Sequence, residues 1–257
     1  MPKKILMIGA AGLAMASASA VAQDSDYYVS VKAGFSQMGQ SNNSGDMNQD
    51  FVLGLGAGTL TSDAAYRFET DFELGGFASV AVGKSTGYGP FRSELELSYT
   101  TNRTADHSNL QALGGNVSGV DAGILFNTNT PLGITTGRLL EDAQGSVNTI
   151  GVMVNGYYDF TVANERVHPF VGVGIGAMNV DVRYKPSGAD FADDSATVFG
   201  YQAMIGADYD LTDSTVLHAG FRYRGAQPVE IETNLLPSDL EVDVNQFIAE
   251  IGYAWKF

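Results

Sequence analysis

The chain has 257 residues, no cysteine, 31 glycines and a formal charge of −15. That acidity argues against nucleic acid as a partner, because phosphate contacts need Lys and Arg. No cysteine means no disulfide framework, and nothing after residue 22 approaches the roughly 18 apolar residues of a membrane helix.

The first predicted element is a targeting segment. Met1-Pro-Lys3-Lys4 leads into an apolar run from Ile5 to about Met15, then small residues ending Ala20-Val21-Ala22. A basic start, a short apolar core and an A-x-A site predict a secretory signal peptide over residues 1–22. Cleavage near Ala22 would remove Lys3 and Lys4 and take the charge from −15 to −17. Residues 23–257 then form one domain.

The first strand runs from Tyr27 to Phe35, with Tyr27, Val29, Val31, Ala33 and Phe35 on one face. Tyr28, Ser30, Lys32 and Gly34 occupy the other, and this period of two marks a strand with unlike faces. Residues 36–74 read as a long polar loop, although Tyr66 to Leu74 alternates enough to extend the next strand. The second strand covers Gly76 to Lys84, and Ser85 to Gly89 is a tight turn by its glycines. The third strand, Phe91 to Thr100, sets Phe91, Leu95, Leu97 and Tyr99 against Arg92, Glu94, Glu96 and Ser98. Residues 101–147 form the longest predicted loop, with a short helix over Thr136 to Ala143.

The fourth strand, Asn148 to Phe160, carries Ile150, Val152, Val154, Tyr158 and Phe160 on its apolar face. A short turn leads to the fifth, His168 to about Tyr184, where Val171, Val173, Ile175 and Ala177 oppose Gly172, Gly174 and Gly176. Residues 185–195 read as an acidic loop. The sixth strand, Thr197 to Tyr209, and the seventh, Thr215 to Arg224, flank a turn at Asp210 to Ser214. After a loop at 225–242 comes the last strand, with Phe247, Ala249, Ile251, Tyr253, Trp255 and Phe257 opposite Gln246, Ile248, Glu250 and Gly252.

These are eight strands, mostly of the length that spans a bilayer when tilted. Their connections alternate long and short from the first to the last. Bacterial barrels have an even strand number, short periplasmic turns and long external loops. A lipid-exposed sheet tolerates no free edge, so the last strand must pair with the first. The prediction is an all-β, eight-stranded antiparallel up-and-down transmembrane barrel. The competing reading of the last strand alone is an amphipathic edge strand of a soluble fold.

With the apolar set facing lipid, the lumen receives Lys32, Arg92, Glu94, Glu96, Gln202, Arg222 and Glu250. Counted from the short-turn ends, Lys32, Glu94, Glu96, Arg222 and Glu250 stand at similar heights. Charges at membrane depth need partners or water. An eight-stranded interior is just wide enough for side chains to fill it, so a balanced ion-pair network with Arg92 among its cations is expected. Such a network either stabilises the wall or gates a narrow path.

No catalytic site is predicted. Known outer-membrane hydrolases, the class a lipid-modifying enzyme of this kind would resemble, place a catalytic His near the external rim. His107 falls in a predicted loop without a motif, and His168 and His218 lie near the periplasmic ends of their strands. The loop acids Asp46, Asp50, Asp63, Asp190, Asp193, Asp194, Glu230, Glu232, Asp239 and Glu241 lack calcium-loop spacing and read as a solvated surface. No metal and no cofactor is expected.

The ending Gly252-Tyr-Ala-Trp-Lys-Phe257 resembles the final strand of bacterial outer-membrane barrels, and the resemblance makes Tyr253, Trp255 and Phe257 an expected signal to the barrel-assembly machinery. Phe72-Glu-Leu-Gly75, Phe91-Arg-Ser-Glu94-Leu-Glu96-Leu-Ser-Tyr99 and His168-Pro-Phe-Val-Gly-Val-Gly-Ile-Gly176 together resemble the opacity-protein and surface-antigen family. The likeness extends to the transmembrane domain of outer membrane protein A. It departs at Lys84, where the family commonly has Tyr, and no peptidoglycan-binding domain is expected after Phe257. The resemblance implies a monomeric protein of the bacterial outer membrane, in contact with lipid, whose external loops meet an unknown ligand or host surface. A small porin-like channel is the alternative function.

Overall fold

The computed structural model describes residues 27–85, 89–112 and 114–257; the expected signal peptide and most of the turn at 85–89 lie outside them. Among the described residues, β1 (Tyr27–Met38), β2 (Ser41–Met47), β3 (Phe51–Val52), β4 (Thr59–Leu60), β5 (Ala65–Phe72) and β6 (Gly75–Ser85) precede the long β7 (Phe91–Ala112). β8 (Gly115–Asn116) and the helix α1 (Thr136–Glu141) lead to β9 (Gly145–Asp159), β10 (Val167–Tyr184), β11 (Ala192–Thr212) and β12 (Thr215–Ala226). β13 (Val229–Glu232), β14 (Ser238–Val242) and β15 (Asn245–Lys256) complete the order.

Eight strands close a ring: β1–β6–β7–β9–β10–β11–β12–β15 and back to β1, every pair antiparallel. Closure sets Val31 opposite Tyr253 and Phe35 opposite Ala249, so no edge of the ring is left unpaired. The apolar set points outward. Phe221 is 69% exposed and Phe35 65%, and Val173, Ile205 and Ile251 are equally bare. Such a band costs heavily in water and is the ordinary surface of a barrel in hydrocarbon. Aromatics collect at both rims, with Phe91, Tyr158, Phe160, Tyr253 and Trp255 at the short-turn end and Tyr201, Tyr223 and Phe247 at the other.

The inner wall is crowded. A Cβ on Gly172 would strike the Tyr157 ring, and one on Gly174 would strike the Asn155 amide. Those two glycines make room for the larger side chains of the facing strand.

The long connections differ from the expectation of loops. The segments at 36–74, 101–147, 185–195 and 225–242 contain strands and build a second tier above the ring. β5 pairs with the upper part of β7, β2 with β5, β14 with β2, and β13 with β14. This tier has its own apolar core, including Met47, Phe68, Val182, Tyr184, Ile231 and Leu240. Two features hid it. β2 reads Ser-Asn-Asn-Ser-Gly-Asp-Met, with almost no β-forming residues, and is held by its neighbours. The β5–β7 ladder carries two register irregularities, which break the period of two just beyond Thr100. The predicted helix is present as α1, with the Thr135 hydroxyl accepting from the Arg138 amide at its start.

Candidate functional site

Strand alternation places the polar residues of the ring inside it. β1 contributes Lys32, β7 contributes Arg92, Glu94 and Glu96, β12 contributes His218, Arg222 and Arg224, and β15 contributes Glu250. All but the half-buried Arg92 are buried, and Arg222 is 1% exposed. Lys32 Nζ lies 2.7 Å from Glu94 and 3.6 Å from Glu96. The Arg222 guanidinium forks onto Glu96, with Nη2 at 2.9 Å from Oε2 and Nη1 closing on Oε1, and Nη2 reaches Glu250 at 3.0 Å. This two-pronged geometry is the strong form of the Arg–carboxylate pair. Arg224 sits above it and donates to Gln202 and Ser98. Gln202 donates to Asn155 at 2.7 Å and accepts from Arg222 at 3.0 Å.

Arg92 does not join this group. Its guanidinium lies lower, 2.7 Å from Asp208 and 3.0 Å from Asp159. The reason is its position one residue from the start of β7, two steps below Glu94 on the same face. His218 links the two groups, with Nδ1 at 2.7 Å from Asp208 and Nε2 at 3.3 Å from Glu250. A continuous ionic chain results: Arg92, Asp208, His218, Glu250, Arg222, Glu96, Lys32, Glu94. The chain includes Asp208 and His218, and Arg224 lies beside it at 3.6 Å from Glu96; none of the three stands among the expected lumen residues. The signal was available, since each lies on the inner face by the same alternation that placed Gln202 and Arg222.

Aromatic rings seal the chain at its flanks. Tyr28 donates to Glu94 at 3.1 Å, Arg92 lies over the Tyr157 ring and Arg222 over Phe77. With four cations against Glu94, Glu96, Glu250, Asp208 and the half-buried Asp159, the charges nearly balance.

The remaining histidines fall elsewhere. His168 faces Asp210 at 2.8 Å on the short-turn rim, where Lys256 also reaches Asp210. His107 is not in a loop. It lies on β7 within the upper tier, buried, with its ring against Phe68 and Tyr184. Tyr253 and Trp255 stack at 6.3 Å on the outer face of β15, and the Phe257 amide donates to the Tyr27 carbonyl. Several acids predicted to be in loops stand on strands of the upper tier, and Asp190 and Asp193 pair there with Lys185.

A family model described as surface antigen matches residues 22–234. Outer membrane protein PagN of Salmonella typhimurium is 28% identical over 127 residues, covering 44% of this chain and 53% of that protein. The match thus spans about half the length of that relative. Among solved structures, the outer membrane protein OprG of Pseudomonas aeruginosa aligns over 91% of this chain and 96% of its own, at 13% identity and a TM-score of 0.52, and shares the fold. Neisserial surface protein A aligns over 90% and 97% at 14% identity, with a TM-score of 0.46.

Proposed function

The chain belongs to the surface-antigen family and is an outer-membrane β-barrel surface protein, and from that premise we propose that the ring is a closed anchor while the upper tier is the working part, a folded platform that binds a partner outside the cell. The filled lumen carries this reading. Arg222, Glu96 and Arg224 occupy its centre with essentially no exposed side-chain surface. Above them stands an apolar core, which water and ions would have to breach. The partner is an external ligand or a host surface, and the protein acts as a monomer. Residues 1–22 direct export, and Tyr253, Trp255 and Phe257 are read by the assembly machinery.

We read the protein as no enzyme. His107 is buried against Phe68 and Tyr184, His168 is engaged by Asp210, and His218 belongs to the lumen chain.

Planar-bilayer recording tests the anchor. The wild-type protein is expected to be electrically silent. The channel reading requires steady conductance, or its appearance in Glu250→Gln, which removes the charge facing Arg222. Conductance in the wild type would overturn the closed-anchor reading.

A further inference from the structure

His218 stands inside the ring on β12, buried, with a carboxylate at each nitrogen of its imidazole. Nδ1 lies 2.7 Å from Asp208 Oδ1 on β11, and Nε2 lies 3.3 Å from Glu250 Oε1 on β15. The second oxygen of each carboxylate meets an arginine. Arg92 Nη2 is 2.7 Å from Asp208 Oδ2, and Arg222 Nη2 is 3.0 Å from Glu250 Oε2.

These contacts set the number of protons on the ring. A neutral imidazole has one N–H and one bare nitrogen, whereas an imidazolium donates at both. A bare nitrogen at either position would turn a lone pair towards a carboxylate oxygen in a buried site. A neutral ring could keep both contacts only if one carboxyl were itself protonated. Each carboxyl already pairs with an arginine, and the charged form makes the stronger bond to a guanidinium.

The charge sum agrees. Lys32, Arg92, Arg222 and Arg224 are four cations, while Glu94, Glu96, Asp159, Asp208 and Glu250 are five acids, so four less five leaves one negative charge in excess. An imidazolium at His218 makes the count five against five. Unbalanced charge in such an interior is costly. The Phe170 ring of β10 stacks on the imidazole at 5.2 Å and 19°, a face that favours a cation. Three cations oppose the charge: Lys32 in the same row across Gly252, Arg222 on the same strand, and Arg92 beside Phe170. Each of them is itself held by carboxylates.

We propose that His218 is an imidazolium in the closed ring and that its second proton is a latch. The proton ties β11 to β15 across β12 and completes the neutrality of the ionic chain. Alkali that removes it unfastens the chain while every lysine and arginine keeps its charge. This inference concerns the ring and is independent of any partner of the upper tier.

The test uses the full mature protein in micelles with 15N-labelled histidine. The signals of His218 are assigned with His107→Phe and His168→Gln, which remove the other two histidines. The expected result is two ring N–H signals for His218 at pH 8, where a free imidazole with a pKa of about 6.5 is neutral. The urea stability of the ring should hold from pH 6 to pH 8. Its folding constant should fall about tenfold, the value of one charge-assisted hydrogen bond, as stronger alkali removes the second proton. His218→Gln should lose at least as much at pH 7 and show no such alkaline fall. Adding Asp208→Asn removes the excess charge, leaves Arg92 to Asp159, and should recover part of that loss. If these variants do not fold, the wild-type ring signals alone decide. A single His218 N–H at pH 7, with or without a protonated Glu250, or losses that simply add in the double variant, would overturn the proposal.

Discussion

The ring and the tier above it are made from the same strands with opposite chemistry. β10 displays the change within one strand. Its outward residues run Val171, Val173, Ile175, Ala177, then Asn179, Asp181, Arg183. Its inward residues run Gly172, Gly174, Gly176, then Met178, Val180, Val182, Tyr184. The backbone alternation never alters; what alters is the solvent outside. Lipid around the lower half selects an apolar exterior and leaves the inside for charges. Water around the upper half restores the ordinary order, with an apolar core and a polar shell. The strands cross that boundary near Met178 on β10 and near Thr100 on β7.

The largest test of this contrast strikes the lower core. Glu96 faces Arg222, Lys32 and Arg224, so Glu96→Ala leaves three cations short of a counter-charge. A buried pair broken on one side typically loses about 3–5 kcal/mol. Urea unfolding in micelles should report a loss of this order. The double replacement Glu96→Met with Arg222→Met should recover part of it, because removing both charges also removes their desolvation. A single variant as stable as the wild type would mean that the lumen is wet enough to solvate the charges.

The matching test strikes the upper core. Phe68 packs against Tyr66, His107, Tyr184 and Phe191. Phe68→Ala should cost about 3 kcal/mol or more by lost burial and a residual cavity. The loss should fall on the tier alone. Hydrogen exchange is expected to rise on β2, β5 and β14 while amides of the ring stay protected. Uniform loosening of both regions would show that they fold as one cooperative unit.

Acid sharpens the same division. His107 is neutral in its apolar surroundings, with its pKa pushed down to about 4, against about 6.5 in an unfolded chain. The unfolded tier therefore binds the extra proton, and stability falls as pH drops from 6.5 towards 4. At pH 5 the loss is about 2 kcal/mol. Neighbouring Asp106 opposes this trend only slightly, since burial raises its carboxyl yet leaves it near the surface. His107→Phe should flatten the dependence. A tier equally stable at pH 7 and pH 5 would contradict the burial of the ring.

The two regions were not equally legible in the sequence. Lipid imposes long unbroken alternation, so the ring strands, their faces and their closure follow from period two. Pairing inside the lumen followed less fully. Height along a strand identified Lys32, Glu94, Glu96, Arg222 and Glu250 as neighbours, but Arg92, two residues below Glu94, met Asp208 and Asp159 instead. The upper tier left weak traces because short strands such as Ser41–Met47 owe their form to partners far away in the chain. A water-facing exterior tolerates Asn, Ser, Gly and Asp on strands, and those residues read locally as loops.

The smallest effect completes the contrast, because it uses the same ionic chemistry in water. On the outer face of the upper tier, Arg183 lies 3.3 Å from Asp181 and 3.2 Å from Asp193, and Lys185 lies 3.3 Å from Asp190 and 3.2 Å from Asp193. These distances are close to those of the lumen pairs. The side chains, however, are one-third exposed or more, so water and salt share the field. Exposed pairs contribute about 0.2–1 kcal/mol. Arg183→Ala should thus lower the stability of the tier by no more than that, and the effect should shrink further in 1 M salt, where screening acts over about 3 Å. The loss in Glu96→Ala should respond far less to salt, since the lumen excludes the screening ions. Measuring both variants at low and high salt sets burial as the single variable. Equal salt sensitivity at the two sites would mean that ions reach the lumen, and the closed anchor would have to be read as a channel.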